Sequence, residues 1–153
     1  MVIESLNSIF ENEHFDGLIG FSQGCAMIHF ILAMHALGAI KWKWLENVKF
    51  CMLVCGMTWN WEDIEKLKGV PLQIPSIHLI SESDFSYQRS LSTTYQFCSP
   101  LVIEHPFGHV FPRVGRIEVK MMKKYIKKAK EERKQVPMSM SSLWLYSTVI
   151  WTF

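Results

Sequence analysis

Three residue types that together perform nucleophilic acyl transfer occur far apart in this chain: Ser22, Asp84 and His109. A serine hydroxyl is a weak nucleophile at neutral pH and needs an adjacent base. A histidine supplies the base, and a carboxylate fixes its tautomer and stabilises the imidazolium. Ser22 is the centre of Gly20-Phe21-Ser22-Gln23-Gly24, a G-x-S-x-G pentamer. The apolar run Phe15-Asp16-Gly17-Leu18-Ile19 precedes it, and a long apolar segment follows. Strand, sharp turn with serine at its tip, then helix is the context a nucleophile elbow needs. Both glycines are expected where a side chain would collide with strand or helix, which lets the serine adopt a strained backbone. The pentamer alone is weak evidence, because small-residue pentamers occur by chance.

The other two residues add the specificity. Asp84 follows the apolar run Ile77–Ile80, and His109 follows Leu101–Glu104. In a parallel sheet all three emerge at the carboxyl ends of successive strands, the edge where open α/β sheets bind ligands. The order Ser, Asp, His is that of α/β-hydrolases. The N–H of Gln23, at a helix start, is the candidate oxyanion donor. Glu82 is a rival acid nearer its strand, and His105 a rival base locked by Pro106. His105 and His109 make a poor metal pair, because Pro106 and Gly108 spoil the helix that such spacing prefers and no third ligand is placed. Neither metal nor cofactor is expected.

Periodicity supplies the supporting elements. Apolar positions at Val2, Ile3, Leu6, Ile9 and Phe10 predict a helix over 2–12. Strands are expected at 16–21, 49–55, 75–80 and 100–105, and helices at 23–39, 87–97 and 114–134, with a short helix around Trp61–Leu67. Continuous apolar strands alternating with helices imply a mostly parallel sheet of about four strands covered on both faces. In the basic helix, Val114, Ile117, Met121, Tyr125 and Ile126 are expected near one face. Cys51 and Cys55 are read as core residues sharing a strand face, and His29 and His35 as satisfied core histidines. Residues 135–153 break the pattern: a linker-like stretch, then an apolar tail with no evident partner.

The 153 residues suffice for one sizeable core, and 49% apolar with 20% charged residues reads as globular. The net charge of +2 is unevenly spread: residues 113–134 hold ten Lys/Arg against three Glu. That segment is read as a solvated helix face, and no nucleic-acid partner is expected. Cys25, Cys51, Cys55 and Cys98 form no C-x-x-C pair. No basic leader opens the chain, and no apolar run reaches the roughly 18–20 residues of a membrane span. These features imply a reducing compartment, cytoplasmic or also nuclear.

Residues Phe15–Gly24, Ile74–His78, Asp84, and His105-Pro106-Phe107-Gly108-His109 with Pro112-Arg113 resemble the FSH-type serine hydrolase family. The resemblance covers roughly residues 1–130 and implies an α/β-hydrolase fold and cleavage of small-molecule carboxyl esters or thioesters. It places the nucleophile on Ser22, the acid on Asp84 and the base on His109, in a hydrolase domain spanning 1–134 with an atypical 135–153. Two local departures are Ser81 and Phe107, where family members usually carry glycine. A larger one is that only 21 residues precede Ser22. The expectation is a family member lacking its N-terminal strands and a second oxyanion donor, its first strand an exposed edge. Such a chain is expected to be impaired or inactive as an esterase; the alternative is a catalytically inactive, hydrolase-like binding module.

Overall fold

The four apolar runs pair side by side as a parallel sheet in the order β1-β2-β3-β4. A computed structural model describes residues 2–57, 67 and 69–133. In chain order the elements are α1 (Val2–Phe10), β1 (Gly17–Phe21), α2 (Gln23–Ala36), α3 (Lys43–Glu46), β2 (Phe50–Val54), β3 (Ser76–Ile80), α4 (Tyr87–Thr94), β4 (Leu101–Glu104) and α5 (Arg116–Arg133). The α/β class and the sheet are as expected. The expected helix around Trp61–Leu67 and the segment 135–153 lie outside the described residues, save for Leu67, which is buried in the core.

Side chains alternate across the strands and build two cores. Cys51 and Leu53 of β2 face Cys25, Ile28, Ile31 and Leu32 of α2, with Trp44 and Leu45 of α3. Phe10, Phe15 and Trp44 close this layer edge to face, with centroids 5.2–6.3 Å apart. On the opposite face Val54, Ile77, Leu79 and Ile103 meet Met122, Tyr125 and Ile126 of α5. Every residue of β3 is buried, as a strand covered on both faces requires. Strand β1 is terminal in the sheet order, and its Ile19 is 61% exposed.

Three readings change. Helix α2 stops at Ala36 rather than 39, because Gly38 turns left-handed (φ 73°). The Gly38 N–H then bonds His35 O and the Ala39 N–H bonds Met34 O, capping the last turn. The buried stripe of α5 runs through Met122, Tyr125, Ile126 and Ala129, while Ile117 and Met121 are exposed. Cys51 and Cys55 are both buried but face opposite cores, since the chain leaves β2 at Cys55 with φ 48°. Helix α3 was not anticipated; Trp44 and Leu45 give it its buried face.

Polar ties fix α5 against the sheet. Tyr125 Oη accepts the Ser76 N–H at 2.9 Å and donates to Ser99 O at 2.7 Å. Burial pushes its phenol up to about 12, so it remains a donor. Asp16, just before β1, pairs with Lys130 of α5 and with Lys49 before β2. Hydrogen bonds from Lys130 and then Lys49 hold the Asp16 carboxyl down at about 2. The depressed value means this stabilisation is present above the ordinary carboxylate range and fades as pH falls toward 2. Being part-exposed, the cluster contributes at most about 1 kcal/mol per pair. No helix among the described residues is long and apolar enough to cross a membrane.

Tyr125→Phe leaves the Ser76 N–H without its acceptor, so it should destabilise by about 1–3 kcal/mol. Urea unfolding checks this: the midpoint should fall with an unchanged m-value, and an unmoved midpoint contradicts the tie.

Candidate active site

Ser22 occupies the turn between β1 and α2 with φ 51° and ψ −113°, a region that L-residues rarely enter. Its own N–H reaches across to Val54 O at 2.9 Å, and its carbonyl accepts the Cys25 N–H at 3.0 Å. Gly20 is required here: a Cβ would lie 2.7–2.8 Å from backbone atoms of Gly24 and Cys25. Gly24 is not required by sterics, because a Cβ there meets nothing within 4 Å. The expectation that both glycines prevent collisions therefore holds for one of them. The buried Cys25 Sγ lies 3.1 Å from Gly20 O and 3.3 Å from Val54 O, a thiol bridge beneath the turn. Burial pushes that thiol up to about 12, so it stays protonated and donating. Gln23 opens α2 and is exposed. Its N–H belongs to the first turn, whose donors lack intrahelical acceptors.

Asp84 lies in the loop after β3, with its side chain 1% exposed. Its Oδ1 accepts the Ser86 N–H at 2.7 Å and the Ser86 hydroxyl at 2.9 Å, an Asx-type turn that fixes the carboxylate. Burial pushes this carboxyl upward. The Ser86 N–H, His109, the Ser86 hydroxyl and Cys55 outweigh burial and hold it below its ordinary value, hence ionised.

His109 lies in the loop after β4 and bridges the other two. Its Nδ1 is 2.9 Å from Asp84 Oδ2 and 3.0 Å from Oδ1, and its Nε2 is 2.9 Å from Ser22 Oγ. An ionised carboxylate only accepts, so Nδ1 carries the proton and the Nε2 lone pair faces the serine hydroxyl. The ring lies between two exposed aromatics, Phe21 at 5.1 Å and Phe85 at 4.5 Å between centroids.

The rivals are placed elsewhere. Glu82 is exposed. His105 is buried, and its Nδ1 accepts the Phe107 N–H at 3.3 Å. Burial lowers its pKa, and the Asp84 charge offsets this only in part. His29 is buried against Gln96, and His78 against Ser76 Oγ at 2.9 Å. Burial lowers both, His78 to about 4, so neither is a charged partner at neutral pH. His35 is half-buried, with Nδ1 at 3.2 Å from Ile40 O.

The sequence reading placed Cys55 in the core and Ser81 as a local departure, singled out no role for Ser86, and assigned none of the three to the site. Ser86 carried a usable signal, since Asp followed two residues later by Ser suits an Asx turn. Cys55 carried none: strand alternation put it on the wrong face. Among the described residues, Cys55 Sγ, an Asp84 oxygen and a His109 nitrogen lie within 4.8 Å of one another, a possible metal-donor spacing. Burial first, then the Asp84 carboxylate, pushes the Cys55 thiol up to about 12. The imidazole nitrogens are already engaged by Asp84 and Ser22. As they stand, Asp84, His109 and Ser22 form a hydrogen-bonded relay, with the Cys55 thiol beside it.

The family described as serine hydrolase (FSH1) matches residues 2–121. The chain belongs to this family. It is 32% identical to Esterase C25G4.2 of Caenorhabditis elegans over 115 residues, covering 72% of this chain and 51% of that protein. It is 33% identical to Esterase OVCA2 of Xenopus tropicalis over 100 residues, covering 64% of this chain and 42% of that protein. A solved structure of YahD with malic acid superposes with a TM-score of 0.49 at 17% identity, covering 84% of this chain and 59% of that one. The chain spans about half the length of the curated relatives it matches.

Gly20→Ala should force β1 and α2 apart and cost about 1–3 kcal/mol. Gly24→Ala should be neutral or stabilise by up to ~1 kcal/mol, as alanine does in a helix. Paired thermal melts decide it; equal melting temperatures would remove the close approach at Gly20 as a determinant of the elbow.

Proposed function

We propose that this chain hydrolyses carboxyl esters or thioesters of small molecules through a Ser22–His109–Asp84 triad. The observation supporting this best is His109 holding Ser22 Oγ through Nε2 and Asp84 through Nδ1, each at 2.9 Å. In the first half-reaction Ser22 Oγ attacks the carbonyl carbon while His109 Nε2 takes its proton. The Asp84 carboxylate stabilises the imidazolium without itself becoming protonated. The oxyanion gathers its charge toward the Gln23 N–H and the positive end of α2. His109 then returns the proton to the leaving alcohol or thiol, the C–O or C–S bond breaks, and Ser22 carries the acyl group. Water repeats the sequence from the other side: His109 takes its proton, the hydroxide oxygen bonds the acyl carbon, and Ser22 Oγ leaves reprotonated. Membership in the serine hydrolase (FSH1) family supports the same reaction class.

One observation favours a second reading, a module that binds through its sheet: Ile19 on the terminal strand β1 is exposed. The two readings part on Ser22-dependent chemistry. Against the expectation of an inactive chain, a fluorophosphonate probe should label the 153-residue chain, and Ser22→Ala should abolish labelling. Asp84→Asn should slow p-nitrophenyl ester turnover by about 10⁴-fold, because the wrong imidazole tautomer then faces the serine. Labelling that survives Ser22→Ala, or no labelling at all, would favour the binding module.

A further inference from the structure

His109 is five residues past the end of β4, so its own strand does not fix the ring. Its turn is closed locally by the Val110 N–H to Gly108 O bond at 2.9 Å. Gly108 has φ 70°, which suits glycine and leaves the turn without a side chain to anchor it. The anchors come from two other strands. The carbonyls on either side of His109, Gly108 O and Val110 O, lie 3.5 and 3.4 Å from Cys55 Sγ, at the end of β2. The Gly108 N–H donates to Ser81 Oγ at 3.1 Å, at the end of β3. Ser81 Oγ pairs with Ser83 Oγ at 3.0 Å, and Ser83 Oγ donates to Pro106 O at 3.3 Å.

These bonds allow one consistent proton assignment. Ser83 gives its proton to Pro106, Ser81 gives its own to Ser83, and Ser81 is left to accept from Gly108. Cys55 is fully buried, and its backbone is pinned by its N–H to Leu79 O at 2.9 Å. Its one S–H faces two carbonyls and the Asp84 carboxylate, which only accept, while His105 Nε2, whose ring accepts at Nδ1, lies 3.9 Å from the sulfur as a donor to it. The thiol therefore serves the His109 turn as a neutral donor.

We infer that Cys55 and Ser81 are positioning residues that clamp the His109 turn, one from each strand end, and so set the reach of the imidazole to both Ser22 and Asp84. This deepens the proposed hydrolase reading and rests on it. The clamp engages both backbone polar groups of Gly108, its N–H through Ser81 and its C=O through Cys55. Misplacing a reacting group by about 1 Å can cost 10²-fold in rate, so a loosened turn should appear in turnover before it appears in substrate binding.

Steady-state kinetics on p-nitrophenyl esters, with Cys55→Ala, Cys55→Ser and Ser81→Gly, tests the clamp. Cys55→Ala should lower kcat about 10- to 100-fold with KM nearly unchanged. Cys55→Ser should recover most of the loss, because a hydroxyl restores the donor. Ser81→Gly should show the same kcat-specific loss, and it stands in if Cys55→Ala fails to fold. Wild-type kcat in both Cys55→Ala and Ser81→Gly, or parallel changes in kcat and KM without rescue by serine, would overturn the clamp. If the unmodified chain shows no Ser22-dependent turnover, the hydrolase reading fails separately. The clamp is then read by proton NMR. The His109 Nδ1–H bonded to Asp84 should be sharp in the unmodified chain and broadened or lost in both variants; an unchanged resonance overturns it.

Discussion

The conformation of Ser22 is the constraint on which the rest of the site depends. A non-glycine residue at φ 51° and ψ −113° carries strain of order 1–3 kcal/mol and persists only where its surroundings over-determine it. Here they do. Gly20 lets α2 start against the strand, Val54 O takes the Ser22 N–H, and Cys25 Sγ lies between Gly20 O and Val54 O. The result directs the hydroxyl off the carboxyl edge of the sheet rather than into either core. Because β1 and β2 are parallel and in register, with Phe21 opposite Val54, the strand that supports the elbow is also the strand that leads into Cys55. Distortion of β1 would therefore propagate to the histidine turn.

Electrostatics around the site separates one histidine from the others. His29, His78 and His105 are buried where desolvation favours the neutral ring. His109 is partly exposed, with a side chain 23% accessible, and has an ionised carboxylate on one nitrogen and a hydroxyl on the other. Asp84 tolerates its burial because the Ser86 N–H, the Ser86 hydroxyl and His109 Nδ1 compensate for lost water. The polar groups in this region thus form a connected network, the condition under which buried charge is sustained.

Much of this was legible in the sequence, for physical reasons. Strands buried on both faces must be continuously apolar, and Phe50–Val54 and Ser76–Ile80 are close to that limit. Crossovers between parallel strands need helices, so Gln23–Ala36 and Tyr87–Thr94 followed from topology as well as periodicity. That Ser22, Asp84 and His109 come together was legible because each follows a strand, and the carboxyl ends of parallel strands share one edge. What escaped depended on backbone twist or tertiary contact. One left-handed residue moved Cys55 to the other core, and Gly38 cut α2 short. Ile117 and Met121 matched a helical stripe, but α5 meets the sheet one residue further round, through Met122 together with Tyr125 and Ile126. Ser81 looked like a minor departure from the family pattern and proved to be the acceptor for Gly108.

A strained serine stands against the His109 imidazole. A high-resolution crystal structure of the chain measures this most directly, through the Ser22 backbone angles and the distance from Ser22 Oγ to His109 Nε2. A positive φ at Ser22 with the two atoms within hydrogen-bonding distance is the predicted result. A relaxed Ser22 with negative φ, or an imidazole turned away from the hydroxyl in an otherwise intact sheet, would contradict it.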